Sequence, residues 1–222
     1  MKDVAILFAR APRLGRVKRR LAADIGARAA LRFHAETLRR LLWALARERR
    51  FRTVLALTPD RAFLRIPPGV ARIDQGRGDL GTRMARAIGR FPRRRVVLLG
   101  SDIPEAGAAD VIGALGALGR ARAVFGPAAD GGFWLVGFGP LRIAAPFRGV
   151  RWSVPQTLAD ALARQRGRKV AFVRTLSDVD RAADLLRLRG RARYPAPARC
   201  GSASRSRSDP PRWPPPPARS PG

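Results

Sequence analysis

The chain has 222 residues, of which 45 are Lys or Arg and 16 are Asp or Glu, so its formal net charge at pH 7 is +29. A hydrophobic content of 46% is enough for a buried core, and this length fits one large domain or two small ones. Composition excludes a collagen, because the 22 Gly have no triplet period, and a disulfide scaffold, because Cys200 is the single Cys. No apolar run is long enough for a membrane helix and no cleavage site follows the N-terminus, so we expect a soluble, cytoplasmic protein without membrane insertion.

The positive charge is typical of nucleic-acid-binding proteins. Only three of the 45 basic residues are Lys, however, so Arg fills nearly every basic position, including helix faces where Lys would serve equally well. A coding bias explains this pattern better than a selected surface does. We therefore do not expect nucleic acid as a partner.

Short apolar runs and longer amphipathic stretches alternate along the chain. Strands are predicted at 4–8, 53–57, 96–99, 123–125, 133–136 and 170–173, and helices at 27–49, 81–91, 108–118, 155–165 and 181–187. This alternation predicts an α/β domain over residues 1–189, with a mainly parallel sheet covered by helices on both faces. Residues 190–222 are rich in Pro, Arg and Ser, and they are predicted to form a disordered tail.

Ligands of such sheets bind beyond the carboxyl ends of the strands, so the loops after Phe8, Leu99 and Phe125 are expected to carry the chemistry. The first of these loops, residues 9–21, has a tight turn at Gly15 and a crowd of basic side chains, including Arg16, Lys18 and Arg20. Backbone amides and guanidinium groups suit pyrophosphate oxygens, which makes the loop a candidate phosphate cradle. The alternative is an Arg-rich loop that is merely solvated.

The segment from Gln75 to Gly81 formally matches the Gly-x-Gly-x-x-Gly fingerprint of dinucleotide sites. That fingerprint belongs to the first strand-turn-helix unit, and here Asp79 would meet the pyrophosphate, so the match is interpreted as coincidental. A glycine-rich turn that lets Gln75 or a backbone amide reach a base edge fits better. The alternative is a helix-start turn with Asp79 as N-cap.

Asp102 follows the most apolar strand and is predicted at the carboxyl edge of the sheet. A carboxylate there suits Mg²⁺ or Mn²⁺, which commonly use one or two protein carboxylates together with phosphates and water. Asp178 and Asp180 return two more carboxylates to this edge just before the last helix, where either could supply a second ligand. The alternatives are that these Asp residues cap the helices that follow.

Two further segments contain aromatic residues. In the loop from Asp130 to Val136, paired Gly residues allow close backbone approach, and Trp134 could line an acceptor pocket, although such aromatic residues are more often core. Trp152 precedes an N-capping Ser153 and alone would be interpreted as structural.

Six motifs in order over residues 4–187 resemble one known family. They are Phe8-Ala-Arg-Ala-Pro with Gly15-Arg-Val-Lys-x-Arg-Leu21, Gln75-Gly-x-Gly-Asp-Leu-Gly-x-Arg-Met84, Gly100-Ser-Asp-Ile-Pro104, Gly126-Pro-Ala-x-Asp-Gly-Gly-Phe-Trp-Leu-Val-Gly137, Trp152-Ser-x-Pro155 and Asp178-Val-Asp180 with Asp184-Leu. The chain is similar to the bacterial glycosyltransferase-A-like transferases known as radical-SAM/selenodomain-associated transferases, formerly a domain of unknown function. Their superfamily is that of the nucleotide-diphospho-sugar transferases, so the resemblance implies a single Rossmann-like nucleotide-binding domain.

The resemblance also implies residue roles. Nucleotide contacts fall on Arg10, Gly15, Lys18, Arg20, Gln75, Gly78, Asp79 and Gly81. The divalent cation falls on Asp102 and Asp180, catalysis on Asp102 and Asp130, and the acceptor on Asp130, Gly131, Trp134 and Trp152. One departure is Arg19, which stands where the family usually has Thr.

The resulting hypothesis is a metal-dependent transferase that passes a glycosyl group from a nucleotide-diphosphate sugar to a small-molecule acceptor. One alternative is a nucleotidyltransferase that uses a nucleoside triphosphate and a phosphorylated acceptor. Another is an Arg-rich nucleic-acid-binding protein with a vestigial transferase fold. No general base stands out, since His34 is predicted on a helix far from the motif loops. The sequence does not give the oligomeric state.

Overall fold

The computed structural model describes residues 2–190, and the predicted tail beyond Gly190 lies outside the described residues. The strands are β1 (Asp3–Arg10), β2 (Phe51–Thr58), β3 (Ala71–Asp74), β4 (Val96–Gly100), β5 (Ala123–Pro127), β6 (Phe133–Phe138) and β7 (Val170–Phe172). The helices are α1 (Arg19–Ile25), α2 (Ala27–Ala46), α3 (Leu80–Gly89), α4 (Ala108–Ala117), α5 (Thr157–Ala163) and α6 (Ala182–Gly190). Every predicted strand and helix is present, and β3 and α1 are additional.

The seven strands form one sheet in the order β3-β2-β1-β4-β6-β5-β7. Neighbouring strands are parallel except for β6, which is antiparallel to both β4 and β5. The prediction of a mainly parallel α/β sheet is therefore confirmed. The single reversed strand creates a hairpin between β5 and β6, whose turn at 128–132 is closed by a hydrogen bond from Ala128 N to Gly132 O (2.9 Å).

Helices cover both faces of the sheet because alternate residues of a strand point to opposite sides. In β1, Ala5 and Leu7 pack in the cluster that contains residues of α2 and α4, whereas Val4 and Ile6 pack in the cluster of α3 and α5. A third cluster joins α1, α2 and α6, and its fully buried members are Leu21 of α1 and Ala30 of α2. Burial of a Leu of this kind contributes about 1.5–3 kcal/mol to stability.

The two additional elements give weak sequence signals. Strand β3 has only four residues, all half-buried, at the edge of the sheet. Helix α1 has seven residues and begins within the predicted first loop, so Arg19 and Arg20 are helical rather than in a loop. Among residues 2–190, no helix combines the length and the apolar character needed to cross a membrane.

The order of the strands points to one ligand-binding position. From β1 the chain proceeds to β2 and β3 on one side, and it then places β4 on the other side of β1. In open α/β sheets, ligands bind outside the carboxyl ends of the strands where the order reverses in this way. The segments that follow Arg10 and Gly100 meet at that point.

Candidate active site

A cavity of about 740 Å³ opens at the carboxyl ends of β1 and β4. Its volume is typical of small-molecule sites. Its charged lining residues are six cations and two carboxylates: Arg10, Arg16, Lys18, Arg19, Arg20 and Arg83, with Asp102 and Asp180. The excess of positive charge favours an anionic ligand.

The carboxylate of Asp102 is held from two sides. Lys18 Nζ lies 3.2 Å from its Oδ2, and His34 Nδ1 lies 3.3 Å from its Oδ1. The side chains of Lys18 and His34 are only 4% and 3% exposed, whereas that of Asp102 is 45% exposed. We call Lys18, His34 and Asp102 the Asp102 network. Its two buried residues, Lys18 and His34, hold the Asp102 carboxylate where it faces the cavity.

The network keeps Asp102 ionised. Burial raises the pKa of this carboxyl group, but the His34 ring beside it and the positive charge of Lys18 outweigh that effect, and the pKa lies well below its ordinary value. A carboxylate must be ionised to bind a divalent cation.

His34 also connects Asp102 to the first loop. Its Nε2 lies 2.9 Å from the carbonyl oxygen of Arg10, and because a carbonyl oxygen only accepts, Nε2 carries a hydrogen. The prediction that His34 lies far from the motif loops is therefore wrong. Its spacing from Leu38 and Leu41 on α2 puts it on the buried face of the helix, and that signal could have found it.

Asp180 reaches the same cavity from the segment before α6. Its Oδ2 lies 3.1 Å from Arg20 Nη1. The backbone amides at the start of α6 are instead bound by Asp24, which accepts from Ala182 N, and by Asp184, which accepts from Arg181 N. The alternative in which Asp178 or Asp180 caps this helix is therefore wrong.

Asp178 lies close to several of the other carboxylates. Its pKa is raised, first by burial and then by the negative charges of Asp180, Asp130 and Asp102, while Lys18 opposes the shift. The sequence-predicted acidic residues are thus close enough to influence one another. Within residues 2–190, however, no three His, Cys, Asp or Glu side chains form a ready-made metal cage.

Gln75 lines the cavity, but its carboxamide is bound to protein. Nε2 donates to the carbonyl oxygens of Ala9 and Ala56 (both 2.9 Å), and Oε1 accepts from Arg83 Nη1 (2.9 Å). Because both amide hydrogens are used and the residue is only 1% exposed, Gln75 has no free donor for a base edge. Its predicted role as a base-reading residue is corrected to a role in holding Arg83, a residue of the same motif to which the sequence analysis assigned no role.

The rest of the glycine-rich turn is structural. Asp79 Oδ1 accepts from Thr82 N (2.7 Å), so Asp79 is the N-cap of α3, as the alternative had it. Gly78 has the left-handed φ of +111° that favours glycine. Gly81 is buried, and a Cβ there would approach the Trp152 ring to 2.8 Å. These three residues do not line the cavity, and neither does Gly15, whose φ of +70° fits the predicted tight turn.

The acceptor residues proposed from the sequence divide into two groups. Trp134 is 4% exposed, lies in the core and donates from Nε1 to the carbonyl of Arg174 (3.1 Å), so its assignment to the acceptor is wrong. Trp152 packs edge-on against Phe133 and Phe147, with ring centroids 6.0 and 5.9 Å from its own, and its contact with an acceptor stays a prediction.

The turn between β5 and β6 remains accessible. Asp130 is exposed, and its Oδ1 accepts from Gly132 N (2.9 Å). Gly131 has a φ of +86°, and a Cβ there would clash with the carbonyl of Pro155. The close backbone approach predicted for the paired glycines therefore exists, but it is made to the segment before α5.

A second cavity, of about 480 Å³, lies at the opposite edge of the sheet, beside the amino ends of β1 and β2. Four cationic side chains line this amino-end cavity: Lys2, Arg49, Arg52 and Arg94. The single lining carboxylate, Glu48, is bound by Arg50, with Oε2 2.6 Å from Nη2. Charge alone thus does not distinguish the two edges.

Known proteins support the fold and the family. Residues 37–154 match the bacterial family described as uncharacterized protein conserved in bacteria (DUF2064). A solved structure from Desulfovibrio desulfuricans G20, whose assignment as a nucleotide-diphospho-sugar transferase is provisional, is 31% identical, with 85% of this chain and 87% of that chain covered and a TM-score of 0.79. No curated protein matches the chain.

More distant structures share the fold alone. The 4-diphosphocytidyl-2C-methyl-D-erythritol synthase of Anaerococcus prevotii DSM 20548 is 14% identical, with 86% and 98% of the two chains covered and a TM-score of 0.55. Another synthase of the same name is 10% identical, with 85% and 97% covered and a TM-score of 0.52. The match over residues 37–154 and the 31% identical structure show that the chain belongs to the DUF2064 family, within the nucleotide-diphospho-sugar transferase superfamily, and that it is a transferase with a glycosyltransferase-A-like fold.

Proposed function

We propose that the enzyme transfers a glycosyl group from a nucleotide-diphosphate sugar to a small-molecule acceptor, with a divalent cation at Asp102. The observation that carries this proposal is the Asp102 network, which presents an ionised carboxylate within a cavity that has six cationic side chains. A diphosphate bridged to a carboxylate by a cation needs this combination of charges.

The donor phosphates would be held by Arg10, Lys18 and Arg20. All three line the cavity, and Arg guanidinium groups bind phosphate oxygens through paired hydrogen bonds. Lys18 provides a point charge from a buried position beside Asp102. These cations neutralise the charge that develops on the departing diphosphate, which lowers the barrier to transfer.

The residues present fit Mg²⁺ or Mn²⁺. Asp102 is ionised and half-exposed, and Asp180 reaches the same cavity. One or two carboxylates are sufficient when donor phosphates and water complete the shell. When bound, the cation supplies Lewis-acid stabilisation of the leaving diphosphate.

In the transfer step, a nucleophilic oxygen of the acceptor attacks the anomeric carbon of the sugar. The bond from that carbon to the diphosphate oxygen breaks, and its electron pair leaves with the nucleoside diphosphate. The acceptor proton passes to a carboxylate on the acceptor side. Asp130 is our candidate because it is exposed on the β5–β6 turn, near the other site carboxylates.

Calorimetry with a panel of nucleoside diphosphates and nucleotide sugars, with Mg²⁺ or Mn²⁺ and with EDTA, tests the proposal. Asp102→Ala is expected to weaken metal-dependent binding by about 100-fold or more, because the divalent cation loses its carboxylate ligand and the buried Lys18 loses its partner. The matched control is Asp3→Ala, which removes a carboxylate paired with Arg95 (2.7 Å) at the opposite edge of the sheet. Unchanged affinity in Asp102→Ala, or in EDTA, would refute the metal assignment.

The same cavity would accept a nucleoside triphosphate, so turnover must separate the two reactions. Release of a nucleoside diphosphate from a nucleotide sugar supports glycosyl transfer. Release of pyrophosphate from a nucleoside triphosphate in the presence of a phosphorylated acceptor would establish nucleotidyl transfer instead.

A further inference from the structure

The geometry points to Arg83 as a phosphate-binding residue of this cavity and to Gln75 as the residue that positions it. The inference rests on the proposed function only in naming the phosphate as that of the nucleotide donor. Neither role follows from the sequence motifs, in which Gln75 was expected to meet the base.

Gln75 can hold only one orientation. Its two amide hydrogens are donated to the carbonyl oxygens of Ala9 in β1 and Ala56 in β2, at 2.9 Å each. These carbonyl groups belong to adjacent strands of the sheet, so the amide nitrogen is fixed by rigid backbone. Oε1 must then point away from the sheet, and it accepts from Arg83 Nη1 at 2.9 Å.

Arg83 is held without an acidic partner. No carboxylate of residues 2–190 forms an ion pair with it, and its Nε is buried with no hydrogen-bond partner. Its guanidinium carbon lies 5.9 Å from the centre of the Phe8 ring, which provides an apolar wall on one side. The residue lines the cavity together with Arg10.

The surroundings of Arg83 disfavour its positive charge. Burial and the neighbouring charge of Arg10 both lower the pKa of Arg83, while Asp79 and Asp60 oppose the shift. Two neighbouring guanidinium groups repel one another until an anion is placed between them. A phosphate would relieve that repulsion, and its oxygens would accept hydrogen bonds from the guanidinium N–H groups of Arg83 that Gln75 does not bind.

Arg86 provides a matched control on the same helix. It also binds the Gln75 residue, but through backbone, since its Nη1 donates to the carbonyl oxygens of Gln75 (2.8 Å) and Arg77 (2.9 Å). It is exposed and does not line the cavity. Arg83→Met and Arg86→Met therefore remove the same charge from α3, and only the first removes a cavity donor.

The test is isothermal calorimetry with inorganic pyrophosphate on the full chain, with thermal unfolding to show that each variant is folded. Arg83→Met is expected to weaken pyrophosphate binding by about ten-fold, the usual size of a lost charge-assisted hydrogen bond. Arg83→Lys, which keeps the charge and loses the fork, should recover part of the affinity. Arg86→Met should change it by less than about two-fold. Equal losses in the two Met variants, or no pyrophosphate binding by the wild type, would overturn the assignment.

A double-mutant cycle tests the positioning role. Gln75→Met should weaken pyrophosphate binding in the wild-type background and leave it unchanged in the Arg83→Met background, because Gln75 acts through Arg83. An equal loss in both backgrounds would overturn that role. Pyrophosphate binding through Arg83 without turnover of any nucleotide sugar would refute the proposed function and leave this inference standing.

Discussion

The two edges of the sheet carry similar positive charge, but they differ in whether the cationic side chains are held in place by buried partners. At the carboxyl edge, Lys18 is almost fully buried and is tied to Asp102, which is tied in turn to His34. At the amino edge, Arg52 is exposed, and the cations of the amino-end cavity have no lining carboxylate free to orient them. Both edges attract anions, but only one has fixed donors.

This difference separates a built site from background charge in an Arg-rich chain. Side chains fixed by buried hydrogen bonds and ion pairs lose little further conformational freedom when a ligand binds, whereas exposed Arg side chains must be ordered. We therefore expect specific affinity at the carboxyl edge and weak, salt-sensitive attraction at the amino edge.

The largest effect is expected when one cation at each edge is replaced by the uncharged Met and the two variants are compared. Lys18→Met is expected to weaken pyrophosphate binding by about 100-fold, because it removes a buried charge and leaves Asp102 to repel the anion. Arg49→Met at the amino-end cavity should change the affinity by less than about two-fold. Calorimetry at 0.1 M salt makes the measurement, and comparable losses in the two variants would remove the distinction between the edges.

Stability gives a second comparison of the edges. His34→Leu leaves the Arg10 carbonyl without its donor and removes the ring nitrogen that lies 3.3 Å from Asp102 Oδ1, and it should lower the free energy of unfolding by about 2 kcal/mol. Thr53→Val removes one buried hydrogen bond at the amino edge, from Oγ1 to the carbonyl of Leu45 (2.9 Å), and should cost about 1 kcal/mol.

Urea unfolding at pH 7 measures both variants. If His34→Leu costs no more than Thr53→Val, then the Asp102 network is no more cooperative than an isolated hydrogen bond. In that case the contrast between the edges would concern binding alone.

The smallest expected effect concerns Asp178. Its pKa is raised in the folded protein, so the folded chain holds a proton that the unfolded chain has released as pH rises above the ordinary value of 3.8. The free energy of unfolding therefore falls through that window and stays lower above it. Asp178→Asn removes the cost and should raise the melting temperature at pH 7 by about 2 °C.

The pH dependence supplies the control for Asp178. At about pH 3, below the ordinary pKa of 3.8, the Asp178 carboxyl group is mostly protonated in the folded and in the unfolded chain, so most of the advantage of the Asn variant should disappear there. An equal gain at pH 3 and pH 7 would show that packing, and not charge, is responsible.

The sequence predicted those parts of the fold that depend on continuous apolar runs. Val96 to Leu99 is recognisable as a buried strand because all four residues are large and apolar. The reversed direction of β6 is not encoded locally, since Phe133 to Phe138 would be equally apolar in a parallel strand. Helix α1 depends on the packing of Leu21 against a distant cluster, which no local pattern reveals.

The residues that line the cavity were predictable from the sequence where they end a strand or lie within two residues after it. Asp102 and Arg10 fall into this class, because the ends of parallel strands converge regardless of the details of packing. His34 and Arg83 lie on helices. His34 contacts Asp102, far along the chain, whereas Arg83 binds a Gln75 carboxamide whose direction is set by distant carbonyl groups. Gln75 was predicted to meet the base. It does line the cavity, but the direction of its carboxamide depends on two carbonyl groups that only the folded sheet brings together.

The reversed strand β6 has a further consequence, for how the family can diversify. Its turn with β5 lies at the carboxyl edge of the sheet, and residues 128–132 are not among those that line the cavity at the ends of the parallel strands β1 and β4. Residues can be added to such a turn at little entropic cost and without shifting the register of its neighbours. Relatives that act on different acceptors are therefore expected to differ in length and composition at 128–132, while the ends of β1 and β4 remain alike.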